Sequence, residues 1–404
     1  MGFASGSASF RRFFIVGQRP TAWTDEWHEA VAANAFGRQP AVASDGVEVG
    51  WIVPNHLFDV DFSEPHRVQF ERFVYLAMRI DRTAPPASIL RSYRAMEERA
   101  ALQASGRETL TRNERRLAKD AAEQRAKGEA EAGMFRRIAA YPVLLDMEEG
   151  VVYFGSLGVS AADRLIRLFS DTFRVTIAPA TLDEVAARTA QKRDLTAALD
   201  DASPTYLADH PTGGDHGHHD EVDGDGSIFA PGDRSFLGRE FLTWLWHGVE
   251  HDEGVFTSSR DSTLLMTIQK AMNLECMYGV TGRVAVVSDA PARARESKSA
   301  LHVGKQPTRL GLILSHNGDE YTFTLDGPKW QVSGLVMPPP EEMEPHALLI
   351  DRFGHFRTVS AAMDGLFESF LARRLNGVWA SESATLRRWA VESGRLQDAQ
   401  LATA

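Results

Sequence analysis

The sequence predicts an α+β protein: two mixed α/β regions with a projecting helical segment. Three observations predict it. Short apolar or alternating runs suited to strands recur early and late in the chain, interspersed with capped helical stretches. Residues 82–137 change composition, with 13 Lys+Arg against 8 Asp+Glu. Residues 200–234 are rich in Asp, Gly, Pro and His and poor in apolar side chains, the composition of a linker or inserted loop. The expected organisation is an N-terminal α+β region over 1–199 that includes the helical insertion 82–137. The acidic, His-rich linker 200–234 follows, then a C-terminal α+β region over 235–376 and a helical tail over 377–404.

Taken in order, "FRRFFIVG" reads as a strand. Thr24 N-caps a helix in "TDEWHEAVAANAF", with Asp25 and Glu26 in its first turn. "VGWIVP" and "VQFERFVYLAMRI" read as strands, the second placing Val68, Phe70, Val74, Leu76, Met78 and Ile80 on one face. Two helices fit 87–104 and 111–131, split by "SGRET", and Thr111 with Glu114 makes a capping box for the second. That second helix has no aromatic residue, so it is expected to project into solvent or toward a partner. "YPVLLDMEEGVVYFGS" reads as a hairpin around Glu148-Glu149-Gly150. A helix follows from Ser160, then the strand "RVTIAP", then a helix opened by Thr181 and Glu184. Beyond the linker, "SFLGREFLTWLWHGVEH" reads as a helix, and its Phe241, Leu242, Trp244, Leu245 and Trp246 suit a core or an interface. "VTGRVAVVS", "TRLGLILSH", "EYTFTLDG" and "KWQVSGLVM" read as strands. A long helical C-terminus begins near Pro345 and ends in "VWASESATLRRWAVE".

Composition limits the function classes. The chain has 404 residues, 43% of them apolar, enough for real cores. Cys276 is the single cysteine, so no internal disulfide or cysteine-rich zinc module is possible, which suits a cytoplasmic setting. The first residues do not fit a signal peptide, and Gly6 stands where a myristoylation signal needs Ser or Thr. No apolar stretch approaches about 18 residues, so no membrane-spanning helix is expected. The net charge is −11, so any contact with nucleic acid must come from a local basic patch.

Several clusters could carry chemistry. "HPTGGDHGHHDEVDGDG" contains Glu221, Asp223 and Asp225 at alternating positions, then Gly226 and Ile228, as in the first part of a calcium-binding EF-hand loop. The twelfth position is Gly232, preceded by Pro231, so the bidentate Glu and the exiting helix are missing. His216, His218 and His219 lack a scaffold that would fix tetrahedral geometry, and the stretch is read as a solvated loop. "HGVEH" places His247, Glu250 and His251 in the order of an inverted zinc-hydrolase motif. Gly248 inside the helix and the polar exit of the segment favour a plain helix end. The carboxylates Asp59, Asp61 and Glu64, and Asp146, Glu148 and Glu149, could hold magnesium beside a phosphate, but both sets lie at expected turns. They make a metal-dependent nuclease or hydrolase acting on DNA the alternative reading. A protein-interaction scaffold using the Trp-rich helix and tail is a third. No phosphate-binding or dinucleotide-binding glycine pattern, G-x-S-x-G or Cys-x-x-Cys is present, and no metal or other cofactor is expected.

The basic segments fit a DNA partner. Arg112, Arg115, Arg116 and Lys119 fall at i, i+3, i+4 and i+7 and share a helix face, with Lys127 extending it and Arg107 preceding it. Such a row suits a phosphate backbone and carries no aromatic for base stacking, so it predicts sequence-independent contact. Glu108, Glu114, Asp120 and Glu123 nearby allow the plainer reading of a solvated, ion-paired helix. A second cluster, Arg293, Arg295, Lys298, Lys305 and Arg309, opposes only Glu296.

In this order, "FRRFFIVG", "VGWIVP", "FVYLAMRIDRTAPPASILRSYRAMEERAALQASGRETLTRNERRLAKDAAEQRAK", "LLDMEEGVVYFGSLGVSAADRLIRLFSDTFRVTIAP", "FLGREFLTWLWH" and "LGLILSHNGDEYTFTLDGPKWQVSGLVMP" resemble the RdgC family of recombination-associated proteins. The resemblance implies a non-enzymatic protein without catalytic residues that binds DNA with little sequence preference. It further implies a ring-forming homodimer of α+β subunits with a basic channel around duplex DNA, nucleoid association, and restraint of strand exchange by a RecA-type recombinase. Segment 87–131 and loop 293–309 would then be channel or gate elements. The acidic loop 200–234 has no counterpart in that pattern.

Overall fold

The structure, a computed structural model, describes residues 2–38, 46–54, 56–209, 228–230, 232–260, 262–340 and 343–401, the last from 394 as backbone alone. The chain begins with β1 (Ala8–Val16), α1 (Asp25–Ala33), β2 (Val47–Ile52), β3 (Gln69–Phe70) and β4 (Phe73–Arg82). Two long helices follow, α2 (Ala87–Ser105) and α3 (Arg112–Glu131). Then come β5 (Arg137–Asp146), β6 (Val151–Phe154), α4 (Val159–Phe173), β7 (Thr176–Pro179), α5 (Leu182–Lys192) and α6 (Thr196–Asp200). The later part holds α7 (Phe236–His251), β8 (Val255–Thr257), β9 (Thr263–Cys276), β10 (Val284–Ser288) and α8 (Arg295–His302). It ends with β11 (Lys305–His316), β12 (Asp319–Asp326), β13 (Gln331–Val336), α9 (Pro345–Arg374) and α10 (Trp379–Leu401). Helices and extensive antiparallel sheet coexist, as an α+β class requires. No helix among the described residues is long and apolar enough to cross a membrane.

The chain forms two compact units that differ from the sequential blocks expected from composition. The first takes residues 1–16, 144–158 and 177–404; the second takes 17–143 and 159–176. Composition marks solvated stretches, whereas the units are set by which strands pair, and the chain passes between them at four points.

In the first unit the strand order is β10-β9-β11-β12-β13-β1-β6, with β7 beside β1 and β8 beside β9. The pairs β9–β10, β9–β11, β11–β12, β12–β13, β13–β1 and β1–β6 are antiparallel. Arg12 of β1 is buried and donates to both oxygens of Asp364 on α9, at 2.7 and 2.6 Å. Trp330 Nε1 donates to the same carboxylate at 3.1 Å. Phe10, Tyr153 and Phe356 pack within 5.7 Å of one another, and Phe241, Trp330 and Phe367 within 5.5 Å.

The longest strand, β9, is not among those expected above. Its first half alternates buried and exposed residues, but the pattern breaks at Lys270, which lies in the left-handed region (φ 69). There β9 bulges: Leu310 faces Met272, yet Leu312 faces Ile268. Gly311 makes room for the bulge, because a Cβ there would collide with the carbonyl oxygen of Gln269.

In the second unit the order is β5-β4-β2, with β3 as a short partner of β4. "VQFERFVYLAMRI" is therefore two strands, broken at Glu71, whose φ is 54. From Phe73 to Arg79 every residue of β4 is buried, so the strand is covered on both faces and alternation is not its signature. Trp51 is fully buried, and its Nε1 donates to Thr172 Oγ1 of α4 at 2.8 Å. Trp27 of α1 stacks on Phe173 at 4.3 Å. Thr24 caps α1 as expected, its Oγ1 accepting from Trp27 N at 3.3 Å.

Gly311→Ala should destabilise the first unit by about 1–3 kcal/mol, the usual cost of overpacking a filled site. Urea unfolding should show a lower midpoint with an unchanged slope.

Candidate nucleic-acid interface

α2 and α3 form an antiparallel helical pair within the second unit. Pro86 opens α2, and Gly106 closes it in the left-handed conformation (φ 64), its N–H donating to Leu102 O at 3.1 Å. α3 starts with a complete capping box. Thr111 Oγ1 accepts from Glu114 N at 3.3 Å, and Thr111 N donates to Glu114 Oε2 at 2.8 Å. Arg107 donates to the other oxygen of Glu114. The hydrogen bonds from the Thr111 amide and hydroxyl, then the charge of Arg107, hold the Glu114 carboxyl below its ordinary 4.5.

Packing decides which face of α3 meets water. Its buried residues are Ala118, Ala122 and Ala126, at i, i+4 and i+8. A seam of alanines lets α2 and α3 approach closely. A polar clamp supplements it: Tyr93 of α2 donates to Glu129, and Arg125 lies over the Tyr93 ring at 4.5 Å while donating to Glu129 at 3.3 Å.

The outward faces carry the charge. Arg112, Arg115, Arg116, Lys119 and Lys127 are all exposed. Arg116 donates to Asn113 at 3.3 Å, Lys119 lies 3.6 Å from Glu123, and Lys127 lies 3.9 Å from Glu131. Exposed pairs of this kind contribute about 0–1 kcal/mol and are screened by salt, so a phosphate can replace them. Arg112 and Arg115 have no ion pair among the described residues. From Arg112 to Lys119 the row covers about 10 Å of helix axis, the rise of about three base pairs. Arg107, bound to Glu114, serves the cap. Sequence reasoning passed over Arg91, Arg94 and Arg99 of α2, which are also exposed, although Arg94 pairs with Glu98 at 2.9 Å. The i,i+3 spacing of Arg91 and Arg94 was the available signal.

The second basic cluster lies in the first unit and does not form one patch. Arg293 and Arg295 are exposed. Lys298 is largely buried and bound to Glu250, its ammonium 5.1 Å from the ring centre of Trp246 and 4.8 Å from that of Trp389. Lys305 is buried and donates to Gly282 O at 2.7 Å. Arg309 donates to Asp326 at 2.7 Å. The last three therefore serve the unit's own structure. Lys298 was readable as such, since it borders the buried Ser297 and Leu301 on α8. Lys305 was not, because nothing in its neighbours shows that β11 begins there.

The other carboxylate candidates meet arginine, lysine, histidine or tryptophan. Arg67 binds Asp59 and lies 3.5 Å from Asp61, while Glu64 meets His66 at 3.4 Å. Asp146 is fully buried, and Arg357 binds Glu148 and Glu149 and lies 3.8 Å from Asp146. Burial pushes the Asp146 carboxyl up from its ordinary range. Glu250 accepts from Trp246 Nε1 at 2.8 Å and Trp389 Nε1 at 3.0 Å besides Lys298, so neither oxygen is open to activate a water. Among the described residues, no group of three or more His, Cys, Asp or Glu is placed to hold a metal ion. The stretch His210–Gly226, with His216, His218, His219, Glu221, Asp223 and Asp225, lies outside the described residues. No known family model matches this chain, and no curated protein matches it either.

A carboxylate held below its ordinary value stabilises the fold above that value and loses its contribution as pH falls through the folded one. The first turn of α3 should therefore fray as pH drops below about 4.3, the ordinary glutamate range. Hydrogen exchange at the Glu114 and Arg115 amides should rise several-fold more than its intrinsic pH dependence. Thr111→Ala should give fast exchange already at neutral pH.

Proposed function

We propose that this protein binds duplex DNA without sequence preference, through the phosphate backbone, using the outward face of the α2–α3 pair. One observation carries the reading: an exposed row of Arg112, Arg115, Arg116 and Lys119 on a helix whose apolar contacts are spent on its partner helix, in a chain of net charge −11. An acidic molecule that displays such a row creates a local field opposite to its average. The absence of an aromatic on α3 fits backbone contact rather than base stacking. Arg91 and Arg99 of α2 extend the positive surface, and Arg293 and Arg295 offer a second, separate contact.

The similarity to RdgC proteins extends the reading. The chain would act without catalysis, as a homodimer that encircles DNA at the nucleoid and limits strand exchange by a RecA-type recombinase. The carboxylate clusters weigh against the nuclease alternative, since Arg67 and Arg357 already neutralise them.

Fluorescence anisotropy with two unrelated duplexes tests the proposal. With five phosphates neutralised, affinity should fall about 10²–10³-fold between 50 and 200 mM salt. Replacing Arg112, Arg115 and Arg116 by Gln should reduce the log–log salt slope by about three, equally for both duplexes. An unchanged slope, or a loss confined to one sequence, would contradict it. Magnesium-dependent shortening of end-labelled DNA that EDTA abolishes would favour the hydrolase instead.

A further inference from the structure

The H-x-x-E-H residues form the seat of the last helix. Trp389 of α10 is buried, and its Nε1 donates to Glu250 Oε2 at 3.0 Å. Its ring meets Trp246 edge-on at 5.0 Å, His247 at 5.3 Å and His251 at 6.1 Å. The two imidazoles stack almost parallel, 4.2 Å apart, and His251 Nδ1 lies 3.0 Å from the His247 carbonyl oxygen. The carboxylate that accepts from Trp389, Glu250, is already matched by Lys298.

We propose that the middle stretch of α10, from Leu386 to Ser393, is a pH-gated latch on α7 and α8, closed while His247 is neutral and opened when it is protonated. A proton on His247 would add a cation to a half-buried seat that already contains Lys298. The charged groups that act on His247 are Glu250, His251 and Asp252 on or beside α7 and Lys298 on α8, and Arg373 of α9 lines the same cavity. Arg373 shares with His247 and Asp252 a cavity of about 230 Å³ and pairs with Glu382 of α10 at 2.5 Å. Burial first, then His251 and Lys298, oppose charging of His247. Asp252 and Glu250 favour it but do not win, so the imidazole titrates below its ordinary 6.5. A histidine depressed in this way stabilises the docked helix above pH 6.5, and that contribution is lost as pH falls. Tenfold in the docking equilibrium is lost per unit of depression.

The proximal half of α10 is anchored independently. Trp379 is buried, its Nε1 donates to Thr205 Oγ1 at 3.0 Å, and the Arg374 guanidinium sits 5.1 Å from its ring centre. Opening is therefore confined to the part beyond Glu382, and it strips Trp389 from Lys298.

Hydrogen exchange of the full chain between pH 7.5 and 5.5, corrected for intrinsic rates, tests the latch. Exchange across 386–393 should accelerate as pH falls below 6.5, by up to tenfold per pH unit for the one proton taken up, while α9 and β11 keep their protection. H247Q and H247F should remove that pH dependence. A flat wild-type profile, loss of protection across the whole first unit together, or variants with the wild-type profile would each overturn the proposal. Should the variants unseat the helix at every pH, the wild-type chain still decides through NMR. Titration of the His247 ring in step with α10 exchange supports the latch, and titration out of step refutes it.

Discussion

A guanidinium or ammonium taken out of water must bring a hydrogen-bond acceptor with it, most often a carboxylate, and this requirement organises both compact units; Lys305, held by the Gly282 carbonyl oxygen, takes the neutral alternative. Desolvating an unpaired charge costs several kcal/mol, more than any single contact in the fold returns. Arg12 is therefore matched by Asp364, and Arg374 by Glu240 at 2.5 Å. In the second unit Arg79 forks onto Asp81 with two bonds of 2.7 Å, and its guanidinium lies between the rings of Phe36 and Phe58. Arg136 adds a further contact to Asp81 at 2.5 Å. Burial alone would push the Asp81 carboxyl up, but the bonds from Arg79 and Arg136 outweigh it and hold it low. Arg12–Asp364 and Arg374–Glu240 join different elements, α9 to β1 and α9 to α7.

The same rule sorts the basic residues by role. A cation that finds a carboxylate inside, such as Lys298, is committed to the fold. One that stays outside on a helix with no large buried side chain is available to a ligand. α3 belongs to the second kind because its only buried residues are alanines. An alanine seam buries little apolar area, so the helix relies on its capping box, the Tyr93–Glu129–Arg125 clamp and its length for stability. That economy leaves nearly its whole circumference for charge.

Much of this was legible in the sequence. Thr24, Thr111–Glu114 and Thr181 mark helix starts because a cap is a local bargain between a side chain and amides two or three residues away. The row from Arg112 to Lys119 was legible for the same reason: spacing along one helix is a local property. What failed was non-local. The break at Glu71 and the bulge at Lys270 depend on left-handed backbone at residues that carry no glycine. The inward turn of Lys305 depends on where β11 lies in its sheet. The partition into two interleaved units depends on which strands pair, and no stretch of composition encodes that. The partners of Glu250 were half legible: Trp246 lies one turn away on the same helix, but Trp389 is distant in sequence.

α3 is proposed to present a phosphate-binding rail. Hydrogen-exchange footprinting of the full chain, with and without each of two unrelated 30-base-pair duplexes, addresses it most directly. Protection should concentrate over 107–127, the same for both duplexes and erased by high salt. Protection that spares this segment while the chain is bound to DNA would contradict it.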